Sequence, residues 1–178
     1  MRAGYQVLRQ LFTEKILGDA GTTVIIQQRL TAREFFLFAL AEGTDAILFG
    51  TAMDYKRLKD GDQGPHTGGM GAVPPVPFVS SKLEEQVMVE VVRPLVAEMA
   101  RRGTPYRSII YCGMMLTTEG PTLLEVNVRF GDPEAQVLLP RLDQENGPIL
   151  AEILLATTKD GALKNSPFVS AQRPQCAS

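Results

Sequence analysis

The chain has 178 residues, 44% of them hydrophobic and 21% charged, enough for one substantial domain or two small ones around a real core. A net charge of −2 and a pI near 5.5 exclude the basic footprint of a nucleic-acid binder, and no apolar run approaches the roughly 18 residues of a membrane span. The amino terminus has no apolar signal core, and two cysteines, Cys112 and Cys176, are too few for a disulfide framework, so the cytoplasm is the expected compartment.

Leu8, Leu11, Phe12 and Ile16 recur at near-helical spacing and predict an amphipathic helix over residues 5–17, ended by Gly18-Asp19-Ala20-Gly21. Three strands are predicted next, over Thr22–Leu30, Glu34–Ala41 and Ala46–Met53. The last two are joined by Glu42-Gly43-Thr44-Asp45, a hairpin-type connection. After a glycine-rich run, Pro74-Pro75-Val76-Pro77 resists regular structure. Ser81 and Glu84 have the spacing of a capping box for a helix from about Lys82 to Met99. Val87, Val91, Val92 and Leu95 supply its buried face, Pro94 should kink it, and Arg101-Arg102 suit its carboxyl end. Two more strands, Ser108–Leu116 and Thr122–Val128, flank a Thr118-Glu119-Gly120 turn, and the first would bury the Cys112 thiol. Gly131-Asp132-Pro133 breaks the chain before short helical segments over Glu134–Leu139 and Pro148–Thr157, and the tail from Lys159 lacks periodicity. Strands outnumber helices and alternate with them irregularly, which favours an α+β arrangement over a doubly wound sheet.

Two segments carry chemistry. Asp60-Gly61-Asp62-Gln63-Gly64-Pro65-His66-Thr67-Gly68-Gly69-Met70-Gly71 packs five glycines and a proline into twelve residues. Such a run disfavours helix and strand and suits backbone N–H groups curled around an anion. It is equally the composition of a long ordered surface loop. In Leu123-Leu124-Glu125-Val126-Asn127-Val128-Arg129, the two-residue period places Leu124, Val126 and Val128 on one face and Glu125, Asn127 and Arg129 on the other. A carboxylate and a carboxamide two residues apart are hard oxygen ligands for a Mg²⁺ that carries a nucleotide, and arginine is a bidentate partner for phosphate or carboxylate. The same pattern also describes a half-exposed antiparallel strand with a solvated face.

These two segments, in this order and with Gly103-Thr104-Pro105-Tyr106 between them, closely resemble phosphoribosylamine–glycine ligase, an ATP-grasp family of purine biosynthesis. The resemblance covers roughly residues 5–155. It implies an α+β ATP-grasp subdomain, mainly antiparallel sheet with flanking helices and incomplete relative to the family. A small-lobe part would occupy about residues 1–53 and a large-lobe part about 54–158, followed by an irregular tail over 159–178. It also implies the chemistry: ATP phosphorylates the glycine carboxylate, and the amine of phosphoribosylamine displaces the phosphate. Carried over residue by residue, Glu125 and Asn127 match the ligands of Mg²⁺ (or Mn²⁺), and Lys56 matches the phosphate-contacting lysine. Gln27, Gln28 and Leu30 fall beside the adenine, and Glu34 matches the acid on the ribose hydroxyls. Arg129, placed as the catalytic residue, would face glycine and phosphoribosylamine together with Asp62, Gly64, Pro65, Thr67, Gly68, Gly69, Met70 and Asp132.

The chain departs from the family in places. The family usually has two glutamates where Gln27 and Gln28 stand, and asparagine at His66, while Ala32-Arg33-Glu34 keeps only the second acid of a Gly-Glu-Glu. Less than half the family's length is present. The amino-terminal domain, the glycine-lysine-glycine lid over the phosphates and a carboxy-terminal lobe are the expected missing parts. Two other readings therefore stand beside the ligase: a remnant that holds Mg·nucleotide without forming an amide, and an interaction subunit whose partner chain supplies the missing lobes.

Overall fold

The computed structural model describes residues 2–61, 63–142 and 150–166. They fall into two compact units that divide between Leu30 and Thr31. In the first unit, helix α1 runs over Arg2–Phe12 and a 3-10 turn covers Gly18–Gly21. The helix stops five residues before the position expected from its periodicity. Lys15 takes a positive φ of 48°, outside the right-handed helical region, and Ile16 is exposed. The strand expected over Thr22–Leu30 does not form. Val24, Ile25 and Ile26 have the β-branched side chains of a strand, but strand preference needs a neighbour to pack and bond with. No described strand pairs with this segment, and Ile25 and Ile26 are 85% and 80% exposed.

The second unit contains strands β1 (Arg33–Gly43), β2 (Ala46–Asp54), β3 (Arg57–Lys59), β4 (Gln63–His66), β5 (Ala72–Val73), β6 (Tyr106–Thr117) and β7 (Gly120–Asn127). Among the described residues, five form an antiparallel sheet in the order β5-β2-β1-β6-β7, and β3 and β4 form a separate ribbon. The ribbon corrects one expectation, because residues 63–66 of the glycine-rich run are paired strand rather than loop. The sheet draws strands from both sides of residue 53.

Central strand β1 explains how the unit is layered. Its run Phe35-Phe36-Leu37-Phe38-Ala39-Leu40-Ala41 is entirely buried, so both faces of the sheet must be covered. Phe35, Leu37, Ala39 and Ala41 pack with Val87, Met88, Val92 and Val96. These come from a continuous helical segment: α2 (Ser81–Val87), a π-helical turn (Met88–Val92) and α3 (Arg93–Arg101). Phe36, Phe38 and Leu40 pack on the opposite face with Leu138, Ile153 and Leu163. That second cover consists of α4 (Glu134–Leu138), a 3-10 turn (Leu139–Arg141), α5 (Leu150–Thr157) and the turns that follow.

The helical segment is capped one residue earlier than its sequence suggests. Ser80 Oγ accepts from the Leu83 N–H at 3.3 Å, while the Glu84 carboxylate accepts from Thr51 Oγ1 at 3.1 Å and ties α2 to β2 instead of closing a capping box. The kink expected at Pro94 takes the form of a wide turn just before it. Arg93 N–H donates to Met88 O, because Pro94 has no N–H for Glu90 and its ring would crowd that carbonyl.

Cys112 is fully buried, and burial pushes its thiol up to about 11. The described part of the tail is irregular but packed: Leu163 is buried, and its N–H donates to Glu42 Oε2 at 2.8 Å. Among the described residues, no helix is long and apolar enough to cross a membrane.

Candidate functional site

The face of the sheet that carries Phe36 and Phe38 becomes polar towards one end. Register fixes which side chains reach it. Phe36 lies opposite Ala52 on β2 and Gly113 on β6, and Gly113 lies opposite Glu125 on β7. Alternation therefore sends Glu34, Asp54, Tyr111, Glu125 and Asn127 to this same face. Gly113 leaves the room they need, since a Cβ there would stand 3.0 Å from Glu125 Cγ.

Two ligand-like pairs result. Lys56, just past the end of β2, points its Nζ at Glu34 Oε1, 2.7 Å away, and lies 4.9 Å from the centre of the Phe36 ring. Asn127 Nδ2 donates to Glu125 Oε1 at 3.1 Å. Among the described residues, no group of three or more His, Cys, Asp or Glu is placed to hold a metal ion. Glu125 and Asn127 thus offer two hard oxygens, which suits Mg²⁺, an ion that keeps several waters and takes its remaining oxygens from nucleotide phosphates.

The glycine-rich run returns to this end of the sheet. Thr67 donates to Lys56 O twice, through its N–H at 2.7 Å and its hydroxyl at 2.9 Å, and Met70 N–H donates to Tyr55 O at 2.8 Å. Gly69 has φ +137°, and a Cβ on it would stand 2.6 Å from Pro133 Cδ and 2.9 Å from Asp54 Oδ2. Only glycine fits between those two groups. Gly64 also has positive φ, and its carbonyl accepts from Arg57 Nη1 at 2.8 Å. Pro65 and Met70 are exposed, a Cβ on Gly68 would meet nothing, and Asp62 lies outside the described residues.

Other predicted residues make local contacts of their own or belong to the first unit. The ladder of β7 ends at Asn127, so the two-residue period does not reach Arg129, which is exposed and donates through Nη1 to Phe130 O. With β7 at the sheet edge, Val126 is 39% exposed, and Val128, just past the end of the strand, is 66% exposed. Asp132 is exposed and accepts from Gln136 Nε2 at 2.7 Å. Gln27 and Gln28 are exposed, Leu30 is half-buried, and all three belong to the first unit.

Three side chains were not singled out from the sequence. Glu134, the first residue of α4, is 3% exposed; its Oε1 accepts from the Tyr111 hydroxyl at 3.0 Å, and its Oε2 has no hydrogen-bond partner among the described residues. Asp54 Oδ1 is likewise buried without a partner among them. Burial first, and then the charge of Glu134, raise the Asp54 carboxyl above its ordinary range, against the pull of Lys56 and the Gly71 N–H. Burial and the charges of Glu134, Glu125 and Glu34 keep the Tyr111 hydroxyl protonated far beyond the usual phenol range. Asp54 and Glu134 do stand inside Asp54-Tyr55-Lys56-Arg57 and Gly131-Asp132-Pro133-Glu134. That was the available signal, but a single acid beside a turn is ordinarily solvated.

The family model described as phosphoribosylglycinamide synthetase, ATP-grasp (A) domain, matches residues 2–135. A phosphoribosylamine–glycine ligase of Caulobacter vibrioides is 47% identical over 149 residues, 84% of this chain and 34% of that protein. One of Mesorhizobium japonicum is 42% identical over 153 residues, 86% of this chain and 35% of that protein. The crystal structure of the phosphoribosylamine–glycine ligase of Thermotoga maritima superposes with a TM-score of 0.67 at 31% identity, covering 86% of this chain and 39% of that one. The chain spans about a third of the length of the curated relatives it matches.

Proposed function

Because the chain belongs to the phosphoribosylglycinamide synthetase ATP-grasp (A) domain family, we propose that it is the nucleotide- and metal-handling part of an ATP-dependent ligase that joins glycine to phosphoribosylamine in the cytoplasm. The observation that carries this reading is the gathering of Glu34, Lys56, Glu125 and Asn127 on one face of the sheet, beside the bend at Gly69. In the reaction, the glycine carboxylate takes the terminal phosphoryl group of ATP, and the amine of phosphoribosylamine then displaces phosphate to leave an amide.

Glu125 and Asn127 would hold Mg²⁺ or Mn²⁺, which neutralises phosphate charge and orients the nucleotide. Lys56 would contact phosphate, and Glu34 the ribose hydroxyls. Their mutual ion pair is about two-thirds buried on each side chain, and a pair of that kind near a surface is worth little net energy, so both can exchange partners when nucleotide arrives. Gln27, Gln28 and Leu30 would line the adenine. Thr67, Gly68 and Gly69, with Asp62, Gly64, Pro65, Met70, Arg129 and Asp132, would meet the amino acid and the phosphoribosyl group.

A second reading is favoured by Leu123 and Val126 on edge strand β7 and Val128 just past its end, all exposed apolar side chains. A partner chain supplying further lobes would cover them. Both readings meet in one assay. The chain alone should give little or no glycine-dependent ADP release, and adding the remaining segments of the Caulobacter vibrioides ligase as a separate polypeptide should raise it. No gain over either piece alone contradicts the ligase function.

A further inference from the structure

Two carboxylate oxygens, Asp54 Oδ1 and Glu134 Oε2, are buried and lack a hydrogen-bond partner among the described residues. Such groups are rare, because a buried acceptor without a donor carries the full desolvation penalty. They share a neighbourhood built around Gly69. Around them, Gly69 approaches within Cβ distance of both Asp54 oxygens and of Pro133, next to Glu134, and the Tyr111 hydroxyl occupies Glu134 Oε1 and so holds Oε2 in place. Two acceptors with no donor between them call for a small, positively charged group that donates more than one hydrogen bond. A primary ammonium has three such N–H bonds.

We propose that Asp54 and Glu134 form a binding site for a small primary ammonium group, the α-ammonium of the amino-acid substrate, an assignment that rests on the ligase function proposed above. An amine held there as its cation has no free lone pair, so it cannot itself attack an activated carboxylate, and phosphoribosylamine remains the only nucleophile. The site also accounts for a buried acid at the start of α4 that forms no ion pair among the described residues.

The test uses the full 178-residue chain and three small probes: glycine, glycinamide, which keeps the ammonium, and glycolate, which replaces it with a hydroxyl. Each is titrated calorimetrically with and without a non-hydrolysable Mg·ATP analogue. The site predicts that glycine and glycinamide bind and that glycolate is weaker by about tenfold or more, the range for a buried charged hydrogen bond. Glu134→Gln keeps an acceptor for Tyr111 and removes the charge, and should weaken glycine by a similar factor while leaving the nucleotide analogue within about twofold. Glycolate binding as well as glycine, or none of the three probes binding, overturns the site, and so does glycine affinity indifferent to Glu134→Gln. Normal Mg·nucleotide binding beside any of those results leaves the ligase reading standing, whereas ammonium selectivity without nucleotide binding would count against the ligase reading alone.

Discussion

Gly69 shows how much can rest on a missing Cβ. Its φ of +137° and its approach to Pro133 Cδ and the Asp54 carboxylate leave no place for a side chain. Gly69→Val should therefore lower unfolding stability by about 1–3 kcal/mol, the cost of a strained backbone. Gly68→Ala, whose Cβ would meet nothing, should change it little. Denaturant unfolding of the two variants checks this, and equal losses would show that position 69 is not special. Asp54 makes a pH prediction. Its carboxyl is raised above the ordinary aspartate range, chiefly by burial, so the folded chain holds this proton to higher pH than the unfolded chain does. Stability from this group is then greatest in acid and falls as pH rises from the ordinary aspartate value through the raised one. Asp54→Asn cannot lose that proton. Its melting temperature relative to the parent chain should climb between about pH 3 and neutrality, and a gap constant with pH would contradict the assignment.

At the scale of elements, Ser80 is the clearest handle. Its hydroxyl caps α2, so Ser80→Ala should cost about 1 kcal/mol and Ser81→Ala much less, measured by chemical denaturation. The reading from sequence put that cap one residue later because Ser81 and Glu84 fit the capping-box spacing. What it could not contain was Thr51, thirty-three residues away, which claims the Glu84 carboxylate. The same distinction runs through the fold. Strands β1, β2, β6 and β7 were legible because hydrophobic pattern and turn residues agree locally. The stretch after Gly21 has strand composition without a strand partner, so the pattern misled. In the candidate site, alternation alone put Glu125 and Asn127 on one strand face, and the family resemblance pointed to them as ligands and to Lys56. Asp54 and Glu134 were not singled out, since their burial depends on α4 folding over the sheet and on Gly69 closing against Asp54. Arg129 was drawn onto the strand face by extending a period past the point where the ladder stops.

The second unit is a sheet covered on both faces of its central strand β1, with a core of its own, while Leu123 and Val126 stay exposed on edge strand β7 and Val128 just past its end. The chain belongs to the phosphoribosylglycinamide synthetase ATP-grasp (A) domain family and spans about a third of the length of the curated relatives it matches. The proposed nucleotide role stands or falls on whether this sheet face binds Mg·ATP. The direct measurement is calorimetric titration of ATP into the chain with Mg²⁺ and with chelator, repeated on Glu125→Gln. The account predicts saturable, Mg²⁺-dependent binding that Glu125→Gln weakens by about tenfold or more while the melting temperature without metal hardly moves, because Glu125 is exposed. Binding indifferent to both metal and Glu125, or no binding at all, would contradict it.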